Sequence, residues 1–582
     1  RIPDLPRSGR AQYPRSALPY FFLEYGGYRV GGKLFRGADR DARGRWAVRM
    51  NKAVGTRSAE GQVKLEGEVR VTNPAGAAES SIEASPINPD ILIAGSNGPG
   101  SGQRMHYSFD GGETWNESAP LPLGGTCCDP TIGWSSDGTL AYAAALGGST
   151  NYFWRSSDNG QTWDDLANEP GGDPRREIRA GSFTDKEFLH VDRSPTSPFQ
   201  DNIYLTWHEG NIMRFARSRD FGNTWDPVIS FSSASDKRGI GSDISTDRAG
   251  NVYYFWPAFN SRKIWVARSG NGGSSFTPEV EVATTNASFI FPIPSMNVRE
   301  VFVYVSTDVD NTGGPFADSI YAAWTDSTAP TGGNPANNHA RIQFAYSRDG
   351  GANWTVTTPH PTADALQVDR WHQWVAVGPD GTVHLMYYNT LGDPSRTSVN
   401  VFYTFSSDGG VTWSPEMQIT TESSPDIGDT FEFGDYNGLA ATMDGVIAIF
   451  TDNRNEAGGG ADSVDIYAAG PGMGGAPDYT LSDASPGVAG VPNTWNTSNG
   501  TPTGGNLLYF GRANGATPIS IGNCSTTVNL ANARPIAFGQ ADGAGDAIIN
   551  RALPAQIDGR TISFQAVDLF ACETSNVSTT TF

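Results

Sequence analysis

Several acidic residues recur where they could converge on one site. Asp129, Asp185, Asp243 and Asp435 each stand at the head of an apolar run, and Glu79 heads another. Crowded carboxylates repel unless a proton or a cation neutralises them. Two chemistries follow: proton transfer by a carboxyl group, or a cation site. Asp243 and Asp435 are the metal candidates, together with Asp308-Val-Asp310-Asn311, which looks like the opening of a calcium loop without its distal carboxylate. The ion would be Ca2+; no cofactor is otherwise required. The alternative is that each Asp accepts hydrogen bonds from backbone amides.

Other residue types add to the acidic set. Tyr436 follows Asp435, and a phenol becomes a nucleophile when a neighbouring carboxylate takes its proton. His208 and His372 are candidate bases for abstracting a proton. Arg299, Arg370 and Arg454 carry planar forks that match a carboxylate, and Lys186 adds a point charge. Trp371 flanks His372 and offers a face for a sugar ring, or else fills a core.

The elements that must position these residues are short strands. Gly (69) and Pro (37) are frequent, with 15 Trp and 29 Phe among them, and no apolar stripe at helical spacing stands out. Internal repetition is the strongest signal. Ser108-Phe-Asp110-Gly-Gly112-Glu-Thr-Trp115 returns at 156–163, 218–225, 347–354 and 406–413, with a degenerate copy, Ser269-Gly-Asn271-Gly-Gly273-Ser-Ser-Phe276. The motif suits a hairpin turn. Asp accepts from amides of its own turn, Gly supplies a positive φ, and the aromatic ring anchors the turn.

These six copies resemble the Asp box, or BNR repeat, of the sialidase-like β-propellers. The resemblance implies an all-β fold in which each box joins the third and fourth strands of a blade, on the face away from the substrate. Seven inner-strand openings can be picked out, at Glu79, Asp129, Asp185, Asp243, Arg299, His372 and Asp435. Seven blades are therefore expected, with six, the box count, as the alternative. The last blade, about 434–470, lacks a box, and a strand from 60–73 is expected to complete it. The expected organisation is a basic arm over 1–60, a propeller over 61–472 and an immunoglobulin-like β-sandwich over 476–582.

In sialidase-like enzymes three Arg hold a substrate carboxylate, an Asp is the acid/base, and Glu activates a Tyr. That implies catalytic roles for Tyr436 and for Asp129 or Asp185, and substrate contacts for Arg299, Arg370 and Arg454. Likeness to propeller-shaped polysaccharide lyases implies instead His372 or His208 as the proton-abstracting base, with Lys186 and Trp371 as further substrate contacts. Arg1-Ile2-Pro3 matches the family's first arginine motif but stands far ahead of the first box. The expected function is a secreted carbohydrate-active enzyme on an acidic glycan, either a sialidase-like glycoside hydrolase or a propeller-type polysaccharide lyase. The alternative is a non-catalytic glycan-binding or adhesion propeller.

Charge and cysteine narrow the partners. The net charge is −21, yet residues 1–70 hold 15 Lys and Arg against 7 Asp and Glu. An acidic body argues against nucleic acid. The basic head is expected to dock on that body, on a partner subunit in a homo-oligomer, or on a polyanion. No run is apolar and long enough to span a membrane. Four Cys suit an oxidising compartment, with Cys524–Cys572 and a vicinal Cys127–Cys128 bridge as candidate disulfides. A secreted or cell-surface bacterial protein is expected.

Overall fold

The computed structural model describes residues 4–5, 28–30, 33–35, 68–99, 102–122, 126, 128–147, 150–164, 177–179, 184–329, 339–360, 367–428, 432–442, 445–454, 464–470, 480–498, 505–512, 517–521, 524–541, 546–569, 573–575 and 577–582. Contacts divide the chain into two units, 1–55 with 68–473 and 56–67 with 474–582.

The first unit is a β-propeller. Its blade pattern is set by the first sheet, Ala78–Ala84, Leu92–Asn97, Gln103–Ser108 and Asn116–Glu117, paired antiparallel in that order. Among the described residues seven such sheets follow one another, with inner strands Ala78–Ala84, Cys128–Trp134, Thr184–Val191, Asp243–Thr246, Val305–Val309, Arg370–Val377 and Gly438–Ala441. Each inner strand lies against the next, and the last against the first, so the ring closes. The last sheet takes its outer strand from Val69–Arg70, which pairs with Asp465–Ala469. Its partner edge is thereby covered.

Blades stack face to face, so their second strands are largely buried. Val252-Tyr-Tyr-Phe-Trp-Pro257 is buried along its whole length. The core is a series of seams between blades. One seam joins Tyr142, Ala144 and Phe153 to Leu189, Ile203 and Leu205. The closing seam joins Ile82 and Leu92 to Ile447, Ile449 and Ile466.

The boxes fasten these seams. In the third blade Thr224 N and Oγ1 donate to Asp220 at 2.8 and 2.6 Å, and Gly222 N donates to Ser218 Oγ at 2.9 Å. The same pattern recurs at Asp110, Asp158, Asn271, Asp349 and Asp408. Box aromatics meet rings of the preceding blade edge-on, as in Phe153–Trp225 at 5.3 Å and Phe344–Trp413 at 4.9 Å. Ser108, at the box, lies in register with Leu92 and so with Ala84, while Ala78 and Asn97 lie at the other end. Boxes and inner-strand starts therefore occupy opposite ends of the blades.

One opening differs from expectation. Arg299 does not start an inner strand. It lies on Met296–Phe302, which pairs with Ile290–Ile293 as an extra hairpin ahead of the fifth blade. The apolar run continues without a turn residue from there into Val305–Val309, which hides the boundary in the sequence.

The second unit holds two antiparallel sheets, one with Pro492–Ser498 and Ala547–Ala552, the other with Gly505–Arg512, Ala531–Gln540 and Thr561–Asp568. Trp495 of the first meets Phe564 of the second at 4.9 Å, within one buried apolar cluster. Cys128 is disulfide-bonded. Cys127, Cys572 and the side chain of Cys524 lie outside the described residues, as does most of 1–60.

Candidate functional site: an axial carboxyl cluster

At the end of the inner strands away from the boxes, several blades deliver a polar residue in an unusual backbone conformation. Glu79, Asp129, Lys186 and His372 have φ of 57°, 60°, 50° and 49°. Glu79, Lys186 and His372 sit where the pairing of inner and second strands shifts register. A bulge with a left-handed residue re-aims a side chain that regular pleating would send elsewhere.

Side chains of adjacent blades hold these bulges in place. Thr451 Oγ1 accepts from Glu79 N at 3.0 Å, Asp129 Oδ2 from Lys186 N at 3.0 Å, and Thr325 Oγ1 from His372 N at 3.1 Å. Asp243 does likewise, its carboxyl accepting Ile244 N and Thr307 N, both at 2.7 Å.

The hairpin supplies the cation. Arg299 Nε donates to Asp435 Oδ1 at 2.7 Å, and its Nη2 lies 2.6 Å from both Glu79 Oε1 and Asp435 Oδ1. Asn97 Nδ2 takes the other Glu79 oxygen at 3.0 Å. Beside this group stand the Asp129 and Asp185 carboxyls, near enough for each to perturb the other. His208 Nε2 stands 3.4 Å from Asp185 Oδ2.

Burial and mutual repulsion keep protons here. Desolvation, then the charge of Asp185, pushes Asp129 up to about 7. Desolvation, then Asp435, pushes Asp185 up to about 7 and Glu79 up to about 8. Burial takes Asp243 up to about 8 and raises Glu187 well above the carboxylate range. The same desolvation lowers Lys186 and takes His208 and His372 down to about 3, so both imidazoles are neutral.

Below the carboxyls the axis is filled. Lys186 Nζ lies 3.1 Å from the centroid of the Tyr436 ring, with Phe188 at 4.7 Å and Tyr304 at 5.9 Å. Neither Lys186 Nζ nor the Tyr436 hydroxyl has a hydrogen-bond partner among the described residues. A small cavity adjoins them, lined also by Ser242, Thr325, His372 and Gln373.

The structure thus gathers Asp129, Asp185, Lys186, Arg299, His208, His372, Asp435 and Tyr436 around one axis. It does not gather Arg370, Arg454 and Trp371 with them. Arg370 pairs bidentately with Glu416 at 2.7 and 3.0 Å. Arg454 is held by Asp452 at 2.7 Å and by Glu68. Trp371 is wholly buried against Tyr388 and Phe433, so its ring offers no face to a sugar.

The metal candidates are dispersed too. Asp308 accepts Val309 N and Val377 N at the opposite end of the inner strands, and Asp310 accepts Thr312 N at 2.8 Å. Among the described residues no group of three His, Cys, Asp or Glu side chains is placed to hold a metal ion. Glu187, Asn97 and Tyr304 also reach the cluster without having been assigned roles there. Glu187 adjoins two assigned residues; nothing in the spacing marks the other two.

Residues 106–117 match the BNR/Asp-box repeat, and residues 1–39 match a domain of unknown function, DUF8300. No curated protein sequence matches the chain. Similar solved structures include an α-L-arabinofuranosidase, Arb93A, of Fusarium graminearum (11% identity, 59% of this chain and 98% of that one, TM-score 0.37). A PL25 ulvan lyase is similar at 10% identity over 74% of this chain and 96% of that one, TM-score 0.35. The Hadza microbial sialidase Hz136 is similar at 14% identity over 66% and 74%, TM-score 0.34. No described helix is long and apolar enough to cross a membrane. The first unit is a β-propeller built on Asp-box repeats, and a smaller β-sheet unit follows it.

Proposed function

We propose that the protein is a secreted carbohydrate-active enzyme that cleaves a glycosidic bond by proton transfer from the axial carboxyl cluster. The observation that carries this reading is the Asp129–Asp185 pair, two buried neighbouring carboxyls each pushed up to about 7 by desolvation and nearby acids. A general acid works best when its pKa lies near the working pH. In this reading the pair protonates the leaving glycosidic oxygen as the C–O bond breaks. Water adds to the sugar carbon and returns its proton to a carboxylate. Asp435, fixed on the Arg299 fork, faces the positive charge that develops on the ring.

The substrate in this proposal is a neutral glycan, a change from the acidic one expected. An acidic sugar needs guanidinium groups to receive its carboxylate. Arg370 and Arg454 are engaged elsewhere, and Arg299 is already held between two carboxyl groups. The test is the full chain incubated with neutral and acidic polysaccharides, with assays for reducing ends and for unsaturated uronates. New reducing ends from a neutral glycan support the proposal. Cleavage of acidic glycans alone, or unsaturated products, overturns its substrate or its chemistry. Absence of cleavage from every glycan leaves the cluster as a structural plug of the axis and overturns the enzyme reading.

A further inference from the structure

A second cavity lies on the propeller axis, at the box end of the inner strands. It measures about 500 Å³ and takes lining residues from every blade. Trp374 and Phe188, with ring centroids 5.1 Å apart, line both this cavity and the small one beside Tyr436. Their rings therefore partition the axis. The carboxyl cluster lies on one side and this cavity on the other.

The partition is the cavity's aromatic floor, and Trp374 is only half-buried. Polar groups stand around it. Glu83 and Arg193 form an ion pair at 3.3 Å with about a third of each side chain exposed (37% and 38%). His190 Nε2 shares a hydrogen bond with Thr246 Oγ1 at 2.9 Å. Each Asp308 oxygen takes one backbone amide, which leaves it further lone-pair capacity. Asn311 donates from the wall to Thr246 O at 2.9 Å.

This chemistry suits a sugar ring. The C–H face of a sugar packs on an indole, and its hydroxyls both donate to carboxylates and accept from guanidinium or amide groups. The volume lies in the range of small-ligand sites. Two carboxyl groups against one guanidinium disfavour an anion. We propose that this cavity binds a short neutral oligosaccharide at a site separate from the carboxyl cluster.

Calorimetric titration of the full chain tests this, with maltotriose, cellotriose and xylotriose as neutral probes and glucuronate and tetramethylammonium as charged ones. Saturable binding of at least one neutral trisaccharide is expected. Trp374→Phe and Glu83→Gln should each weaken it about tenfold, while Asp129→Asn, beyond the partition, leaves it unchanged. About a third of the Glu83 side chain is exposed and Gln keeps its shape, so that variant stays informative if the Trp374 variant fails to fold. The inference is overturned if no neutral trisaccharide saturates or if only a charged probe binds. It is also overturned if Glu83→Gln binds like the parent or Asp129→Asn loses binding equally.

Discussion

Arg299 Nη2 donates to Glu79 Oε1 at 2.6 Å across 220 residues of sequence, joining the extra hairpin to the first blade. The same nitrogen lies 2.6 Å from Asp435, ahead of the last blade. Both side-chain partners are less than a tenth exposed. Removing the guanidinium leaves buried Asp435 without its counter-charge and Glu79 without a hydrogen-bond donor. Arg299→Met should cost about 3–5 kcal/mol, the usual penalty for orphaning a buried charge. Chemical denaturation measures it, and Arg299→Lys should recover part of the loss.

The pH dependence of stability follows from the raised carboxyl groups. Glu79 and Asp243 are held at about 8, and Asp129 and Asp185 at about 7, by burial and by neighbouring acids. Between the ordinary carboxylate value of about 4 and these values, the folded state binds protons that the unfolded chain has released. The stability they contribute is complete below about pH 4 and is lost as pH rises through about 7 to 8. Box aspartates act oppositely: hydrogen bonds hold Asp349 down to about 2 and lower Asp110, Asp158, Asp220 and Asp408. Their contribution is present above about pH 4 and disappears in acid. The melting temperature should peak near about pH 5 and decline toward alkaline pH. Asp243→Asn, which cannot ionise, should flatten the alkaline limb.

The boxes should govern stability and leave chemistry untouched. Gly222 has a φ of +81°, and a Cβ there would come within 2.1 Å of the Phe153 ring. Gly222→Ala should therefore cost about 2–3 kcal/mol from strain and overpacking. Asp220→Ala loses the bonds from Thr224 and Ser218 and should cost about 1–3 kcal/mol. Asp220→Asn should cost less, because Asn271 already fills the same role in the fourth blade. Thermal melts of the three variants, with any glycan-cleaving activity assayed alongside, check the ordering.

Ring closure should depend on a very short strand. Val69–Arg70 covers the open edge of the last blade, Arg70 pairs with buried Asp465 at 2.9 Å, and Glu68 accepts from Arg454 and Thr421. Deleting the chain through Arg70 exposes the Asp465–Ala469 edge to other molecules. Size-exclusion chromatography and melting should show association and a lower transition temperature. A monomer that melts like the parent would show that closure is not needed.

How much of this was readable in the sequence depended on whether the signal was local. Asp220, Gly222 and Trp225 act within one turn, so their spacing alone carried the motif. Six of the seven inner-strand openings were also readable, because apolar runs recur between successive boxes. Which way those side chains turn was not. Arg370 directly precedes Trp371 and His372, yet it turns to Glu416 while His372 sits on a left-handed bulge. A one-residue bulge reverses side-chain direction, and strand alternation cannot reveal it. The Arg299 hairpin was hidden for a different reason. Its apolar residues run on into the inner strand, and only pairing with Ile290–Ile293 separates the two.

The most direct measurement compares Asp129→Asn and Asp185→Asn with the parent on a glycan that the parent cleaves. Removing an acid that supplies the reaction's proton should lower kcat about 10²–10⁴-fold, with the folded state and KM nearly unchanged. The box variant Asp220→Asn should keep full activity. Parent-like turnover in both axial variants would contradict a catalytic role for the pair.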